Sequence, residues 1–128
     1  MIYIMSDLHG SWNEYRDILE QIQFSDSDHL YMLGDAIDRD PNGIEVLLDI
    51  MARKNITMLL GNHEKMMLDA LRSPDAGRLT RFWWNNGAAP TKKAFDELGE
   101  EKQEAILDFL SEWPTELVIQ FGEQTYVQ

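Results

Sequence analysis

The chain has no cysteine, which excludes a disulfide framework and a thiolate zinc site. It is poor in positive charge, with 11 Lys and Arg against 23 Asp and Glu and a net charge of -12. Nucleic acid and anionic membrane both need clustered basic groups, so neither is an expected partner. No apolar run approaches the length of a membrane span. The N-terminus enters Ile2-Tyr3-Ile4-Met5 at once, without the basic start and small-residue cleavage site of a signal peptide. A soluble, cytoplasmic protein is expected. Histidine is also scarce, present at His9, His29 and His63 alone. What is there is one domain's length, 128 residues, with enough apolar content for a core. Most of the acidic residues read as solvated surface, though metal sites also collect carboxylates that the ions later neutralise.

Three apolar runs alternate with helical patterns. Residues 2–5, about 29–33 and 56–60 read as strands, apolar on both faces and suited to a parallel sheet covered on both sides. Ser11 is a plausible N-cap for a helix whose Trp12, Tyr15, Ile18, Leu19 and Ile22 form one stripe. Asp40-Pro41 reads as cap and first residue of a second helix, carrying Ile44, Leu47, Leu48 and Met51. A third, rich in Met and Leu, runs to about Arg72. This is βαβαβα, the pattern of an α/β fold with right-handed crossovers. Beyond a loop at residues 73–77 come three further helical stretches: 78–86; one capped by Thr91 and running through Leu98; and an amphipathic one from Glu100 to Trp113, with Ala105, Ile106, Phe109, Leu110 and Trp113 on one face. Residues 117–121 and 125–127 around Gly122-Glu123 read as an antiparallel hairpin.

The chemistry-bearing residues sit where the strands end. Gly34-Asp35-Ala36-Ile37-Asp38-Arg39 follows the second apolar run, in the pattern strand, tight turn, helix. Open α/β sheets bind ligands at that edge. A carboxylate has two oxygens, so Asp35 can hold two divalent cations, one on each. Arg39 offers a planar fork of donors that fits two oxygens of a phosphoryl group. Asp38 can hold a neighbouring imidazole in one orientation. Asp7-x-His9 alone carries little information. With Gly34–Arg39 and Gly61-Asn62-His63-Glu64, each after an expected strand and one βα unit apart, it becomes a specific signal.

Asp7-Leu8-His9-Gly10, Gly34-Asp35-x-x-Asp38-Arg39 and Gly61-Asn62-His63-Glu64 resemble the first three signature motifs of the calcineurin-like metallophosphoesterases. The likeness is greatest to the phosphoprotein (serine/threonine) phosphatase branch, whose bacterial members include the symmetrical dinucleoside tetraphosphate hydrolases. The matching motifs span residues 7–64. The resemblance implies an α/β/β/α sandwich, of which residues 1–128 would be the N-terminal βαβαβα half, further helices and the start of the second sheet. It implies a two-metal site, with Asp7 and His9 on the first metal, Asp35 bridging, and the Asn62 amide oxygen on the second. His63 would be the catalytic imidazole, oriented by Asp38. Arg39, with Asn62 beside it, would bind the phosphate. Such oxygen-rich ligands with a few imidazoles suit Mn, with Fe or Zn as alternatives. A hydroxide shared by two ions on Asp35 would attack phosphorus directly, Arg39 would stabilise charge on the equatorial oxygens, and His63 would protonate the leaving alkoxide. The implied activity is a phosphomonoesterase of the serine/threonine protein phosphatase type, acting on a phosphorylated protein or a small phosphoester. A symmetrical dinucleoside tetraphosphate hydrolase would use the same centre. A third reading, a scaffold kept for binding metal or phosphate without turnover, has the intact His63, Asp38 and Arg39 against it.

The departures shape the remaining expectations. Family members carry two further histidines on the second metal and a second arginine, later in the chain. Here His29 matches no such position and reads as a turn or surface residue. The sequence stops at Thr125-Tyr126-Val127-Gln128, where a family strand runs into a His-Ala-Gly or His-Gly-Gly motif. The expectation is an N-terminal piece with an incomplete second metal site, slow in turnover, and prone to dimerise or exchange strands through an exposed sheet edge. Asp40, where many relatives have Gly, reads as the helix cap. Glu64 reads as a first-turn carboxylate that supports the site from outside it. Trp84-x-x-Gly87-Ala88-x-x-Thr91 loosely resembles a Trp-x-x-Asn-Gly-Gly-x-x-Thr element of bacterial relatives. Trp83 and Trp84 are read as core or cap residues, and the methionines as packing.

Overall fold

The computed structural model describes residues 1–73, 76–115, 118–121 and 124–127, without side chains at 76 or in the last two segments. The order is β1 (Ile2–Met5), α1 (Trp12–Gln21), β2 (His29–Met32), α2 (Gly43–Ala52), β3 (Ile56–Met58), α3 (Asn62–Arg72), α4 (Ala76–Trp84), α5 (Ala89–Asp96), α6 (Glu100–Glu112), β4 (Val118–Phe121) and β5 (Gln124–Val127). β1, β2 and β3 form a parallel sheet in that order, with Met5 opposite Met32 and Met32 opposite Met58. Parallel neighbours require crossovers, and α1 and α2 supply them. β4 and β5 form a separate antiparallel pair, and the turn expected at Gly122-Glu123 lies outside the described residues. No helix among the described residues is long and apolar enough to cross a membrane.

Alternation along the strands sends Met5, Leu30, Met32, Ile56 and Met58 to one face, where they are buried with Tyr15 and Leu19 of α1 and Ile44, Leu47 and Ile50 of α2. The other face carries Ile2 and Ile4, 47% and 48% exposed. The expectation of a sheet covered on both faces therefore fails at β1. The physical reason is where the later helices go: α5 packs on α2, and α6 on α2 and α3.

Two helix starts also differ from expectation, and both differences lead to the strand-end turns. Ser11 caps α1 as expected, accepting from the Glu14 N–H at 3.3 Å. α2 begins at Gly43, with Asn42 as its cap, and Asp40-Pro41 remains in the preceding loop. That loop is held elsewhere: the Asp40 N–H donates to the His9 carbonyl and the Asn42 N–H to the Gly10 carbonyl, each at 3.0 Å. Thr91 does not cap α5 but sits inside it, after Pro90 in the first turn, because its hydroxyl is engaged with Asp38. His29 is a strand residue rather than a turn residue. It opens β2, its Nε2 lies 2.7 Å from the Thr57 hydroxyl, and its ring lies tilted beside that of Tyr31, 4.7 Å between centroids.

Candidate metal and phosphate site

The turns after β1, β2 and β3 are joined into one body. The first runs alongside the second, with the His9 N–H on the Asp35 carbonyl at 3.0 Å and the Gly10 N–H on the Ala36 carbonyl at 2.8 Å. The second and third touch backbone to backbone: a Cβ on Gly61 would stand 2.5 Å from the Asp35 nitrogen. Glu64, fully buried, ties them. Its Oε1 accepts from the N–H groups of Asp35 (2.6 Å) and Gly61 (3.1 Å), and its Oε2 from Ala36 (2.9 Å). Burial pushes the Glu64 carboxyl up to about 7; the Asp35 charge adds to the rise while the three N–H donors pull against it.

The backbone is strained where the chemistry lies. Among the described residues six non-glycines have positive φ, and five are Asp7 (57°), His9 (45°), Asp35 (56°), Asp38 (74°) and Arg39 (76°). Such conformations cost about 1–3 kcal/mol each and persist only where the surroundings over-determine them. The strain aims the side chains. Asp7, His9 and Asp35 bring one ligand atom each to within 4.8 Å of one another. The Asp35 Oδ1 also accepts the His63 N–H at 3.0 Å, which fixes its plane. His9 Nδ1 lies 3.2 Å from the Ile37 carbonyl. A carbonyl can only accept, so Nδ1 carries the proton and Nε2 keeps its lone pair, 3.9 Å from the Asp7 carboxylate. Two carboxylates and an imidazole lone pair, braced from behind, fit a divalent cation. Asn62, exposed, opens the first turn of α3 and lines the same cleft as Asp35.

Beside this cluster is a buried hydrogen-bonded group. The His63 ring lies 4.8 Å from that of His9. Its Nδ1 is 2.7 Å from the Asp38 Oδ2, and the Trp83 Nε1 donates to that same oxygen at 2.8 Å. An indole can only donate, so Oδ2 is an acceptor and the imidazole proton sits on Nδ1. Asp38 and Trp83 have no exposed surface. The Asp38 N–H is taken by the Thr91 hydroxyl at 2.9 Å, and the Arg39 N–H by the Gly87 carbonyl at 2.9 Å. Burial raises the Asp38 carboxyl above its usual range, opposed by hydrogen bonds from His63, Thr91 and Trp83.

All seven expected site residues, Asp7, His9, Asp35, Asp38, Arg39, Asn62 and His63, therefore gather at one edge of the sheet. Trp83 is in the core as expected, but its bond to Asp38 was not foreseen, nor were those of Thr91 and Gly87. The signal for them was the Trp-x-x-Gly-like stretch, whose register in the sequence fell one residue late, on Trp84, which is half exposed. Asp40 is exposed and caps nothing. Glu64 does more than favour a helix start, and Met66 is not packing alone, since it lines the cleft with His63.

Comparisons with known proteins agree with this geometry. The calcineurin-like phosphoesterase family model matches residues 1–123. A serine/threonine-protein phosphatase 2 of Salmonella typhimurium is 30% identical over 127 residues, which is 98% of this chain and 56% of that protein. A symmetrical bis(5'-nucleosyl)-tetraphosphatase of Erwinia tasmaniensis is 37% identical over 68 residues, 52% of this chain and 25% of that protein. The chain thus spans about half the length of the first relative, and its match spans a quarter of the second. A crystal structure of a metallophosphoesterase from Sphaerobacter thermophilus has the same fold, with a TM-score of 0.62 at 20% identity over 97% of this chain and 44% of that one. With three strand-end turns converging on one cluster and a family match across nearly its whole length, the chain belongs to the calcineurin-like phosphoesterases.

Proposed function

We propose that the protein is a metal-dependent phosphomonoesterase of the serine/threonine protein phosphatase type. One observation carries the reading: an imidazole held by a buried carboxylate stands 4.8 Å from the imidazole of a three-ligand cation cluster. Asp7 and His9 would hold one cation, Asp35 would be a ligand to that one and to a second, and Asn62, which lines the same cleft, would be a ligand to the second. Mn suits this donor set, with Fe or Zn as alternatives. Divalent ions bound there supply Lewis acidity and a nucleophile from water at neutral pH. Arg39, whose backbone is fixed by Gly87, presents its fork to the phosphoryl oxygens. His63 has its Nδ1 committed to Asp38, so Nε2 is the atom that delivers a proton to the leaving oxygen. The bacterial relatives suit a cytoplasmic site of action.

The Erwinia relative favours a second reading, symmetrical cleavage of a dinucleoside tetraphosphate. The same residues would serve it, with a nucleotide as the leaving group. A manganese-dependent assay on p-nitrophenyl phosphate, a phosphoserine peptide and diadenosine tetraphosphate separates the two. The first reading expects release from the peptide, and the second from the tetraphosphate. No manganese-dependent release from any of the three, together with no manganese-dependent binding of inorganic phosphate, would overturn both.

A further inference from the structure

The site opens into a cleft of about 500 Å³ that is lined also by α3 and α4. On α3 the lining residues are Asn62, His63, Lys65, Met66 and Asp69. On α4 and the turn after it they are Leu79, Phe82 and Asn86, three and four apart. The two helices pack along each other. Asn86 neighbours Gly87, whose carbonyl holds Arg39, so the C-terminal end of α4 lies at the phosphate end of the cleft. The Asn86 amide donates back to the Phe82 carbonyl at 2.8 Å, which keeps helical spacing between them. Phe82 then stands about one turn, roughly 5–6 Å along the axis, from the phosphate end.

Phe82 is 59% exposed. A single exposed apolar residue is ordinary, and Trp84, 51% exposed, lines no part of this cleft. Phe82 differs because it lines one cleft together with Met66 and Leu79 and with His9, Asp35, Arg39 and His63 of the site. An apolar lining with a few convergent polar groups is the ordinary make-up of a small-molecule site. The polar side takes the phosphoryl group, so the apolar side takes what the phosphoryl group is attached to. Resting on the phosphoesterase reading alone, and not on which of its two substrates is hydrolysed, we infer that Phe82, with Met66 and Leu79, is a leaving-group subsite that adds affinity for phosphoesters bearing a planar aromatic ring near the phosphorus without excluding alkyl esters. A ring stacked on Phe82 gains both area burial and ring–ring attraction. A short alkyl ester gains neither.

The test is binding of non-hydrolysable probes to the manganese-loaded chain, measured by calorimetry. Phenylphosphonate is expected to bind about tenfold more tightly than methylphosphonate. Phe82→Ala should remove the preference while leaving methylphosphonate unchanged, and Phe82→Leu, apolar but not planar, should recover only part of it. The phosphonate analogue of AMP, with carbon in place of the ester oxygen, is the second arm: a preference for it that Phe82→Ala removes assigns the ring to a nucleoside, and one shown by phenylphosphonate alone assigns it to an aryl ester. Equal binding of all three probes by the unaltered chain, or a preference that survives Phe82→Ala, overturns the subsite. Binding of no probe overturns the phosphoesterase reading itself, and the subsite with it.

Discussion

Asp38 makes three hydrogen bonds with side chains, accepting from His63 and Trp83 and donating its N–H to Thr91, and each partner comes from a different part of the chain. His63 is 25 residues away, Trp83 is 45 and Thr91 is 53. The carboxylate is nevertheless only partly satisfied, since its buried Oδ1 has no hydrogen-bond partner among the described residues. Removing the indole donor leaves a second acceptor position unmet in a site without water access. Trp83→Phe should therefore cost about 1–3 kcal/mol in urea denaturation, and a loss under about 0.5 kcal/mol would show that the bond contributes nothing. The residues that such a change leaves in place were legible in the sequence because each follows an apolar run by a fixed short interval: Asp7 and His9, Asp35, Asp38 and Arg39, Asn62 and His63. Trp83 and Thr91 were not, because their partner is fixed by how α4 and α5 fold back, and no local pattern records that distance.

At the level of elements, α1 and α2 are coupled by a polar contact inside an otherwise apolar interface. The Tyr15 hydroxyl donates to the Asp49 Oδ2 at 2.6 Å, and the Arg53 Nε donates to the same oxygen at 2.7 Å. Burial first, then the Asp49 charge and hydrogen bond, raise the Tyr15 phenol well above its ordinary value near 10. The unfolded chain loses the phenolic proton near that ordinary value while the folded one keeps it. The stabilisation is fully present below about pH 10 and is lost as pH climbs from there through the raised value. Thermal melts across that range should show a steeper alkaline fall for the unaltered chain than for Tyr15→Phe, and parallel curves would remove Tyr15 as the cause. The helices and strands themselves were largely legible, because the helices carry apolar stripes at a 3.6-residue period while the parallel strands are short continuous apolar runs. The starts of α2 and α5 were misjudged for one reason: Asp40 and Thr91 carry capping chemistry, but the neighbouring turns claim their backbone or hydroxyl first. The uncovered face of β1 was hidden too, since Ile2 and Ile4 look the same in sequence whether or not something packs on them.

On the scale of the molecule, the fold concentrates strain and charge at one edge and leaves apolar surface at another. Ile2 and Ile4 stand nearly half exposed on β1, which has a sheet neighbour on one side among the described residues. Edges of this kind pair with other chains, against a net charge of -12 that disfavours self-association. Light scattering at high concentration is expected to show dimers, strengthened by salt that screens the charge, and lost in Ile4→Lys. A monomer at every concentration and salt would show that repulsion prevails. The central claim concerns the carboxyl end of the same sheet, where the turns after β1, β2 and β3 are proposed to form a cation site around Asp35. The direct measurement is manganese binding by electron paramagnetic resonance on the unaltered chain and on Asp35→Asn. The substitution keeps an acceptor for the His63 N–H but removes the charge, so the fold should persist and manganese affinity should fall at least tenfold. Manganese held equally well by both chains would contradict the account.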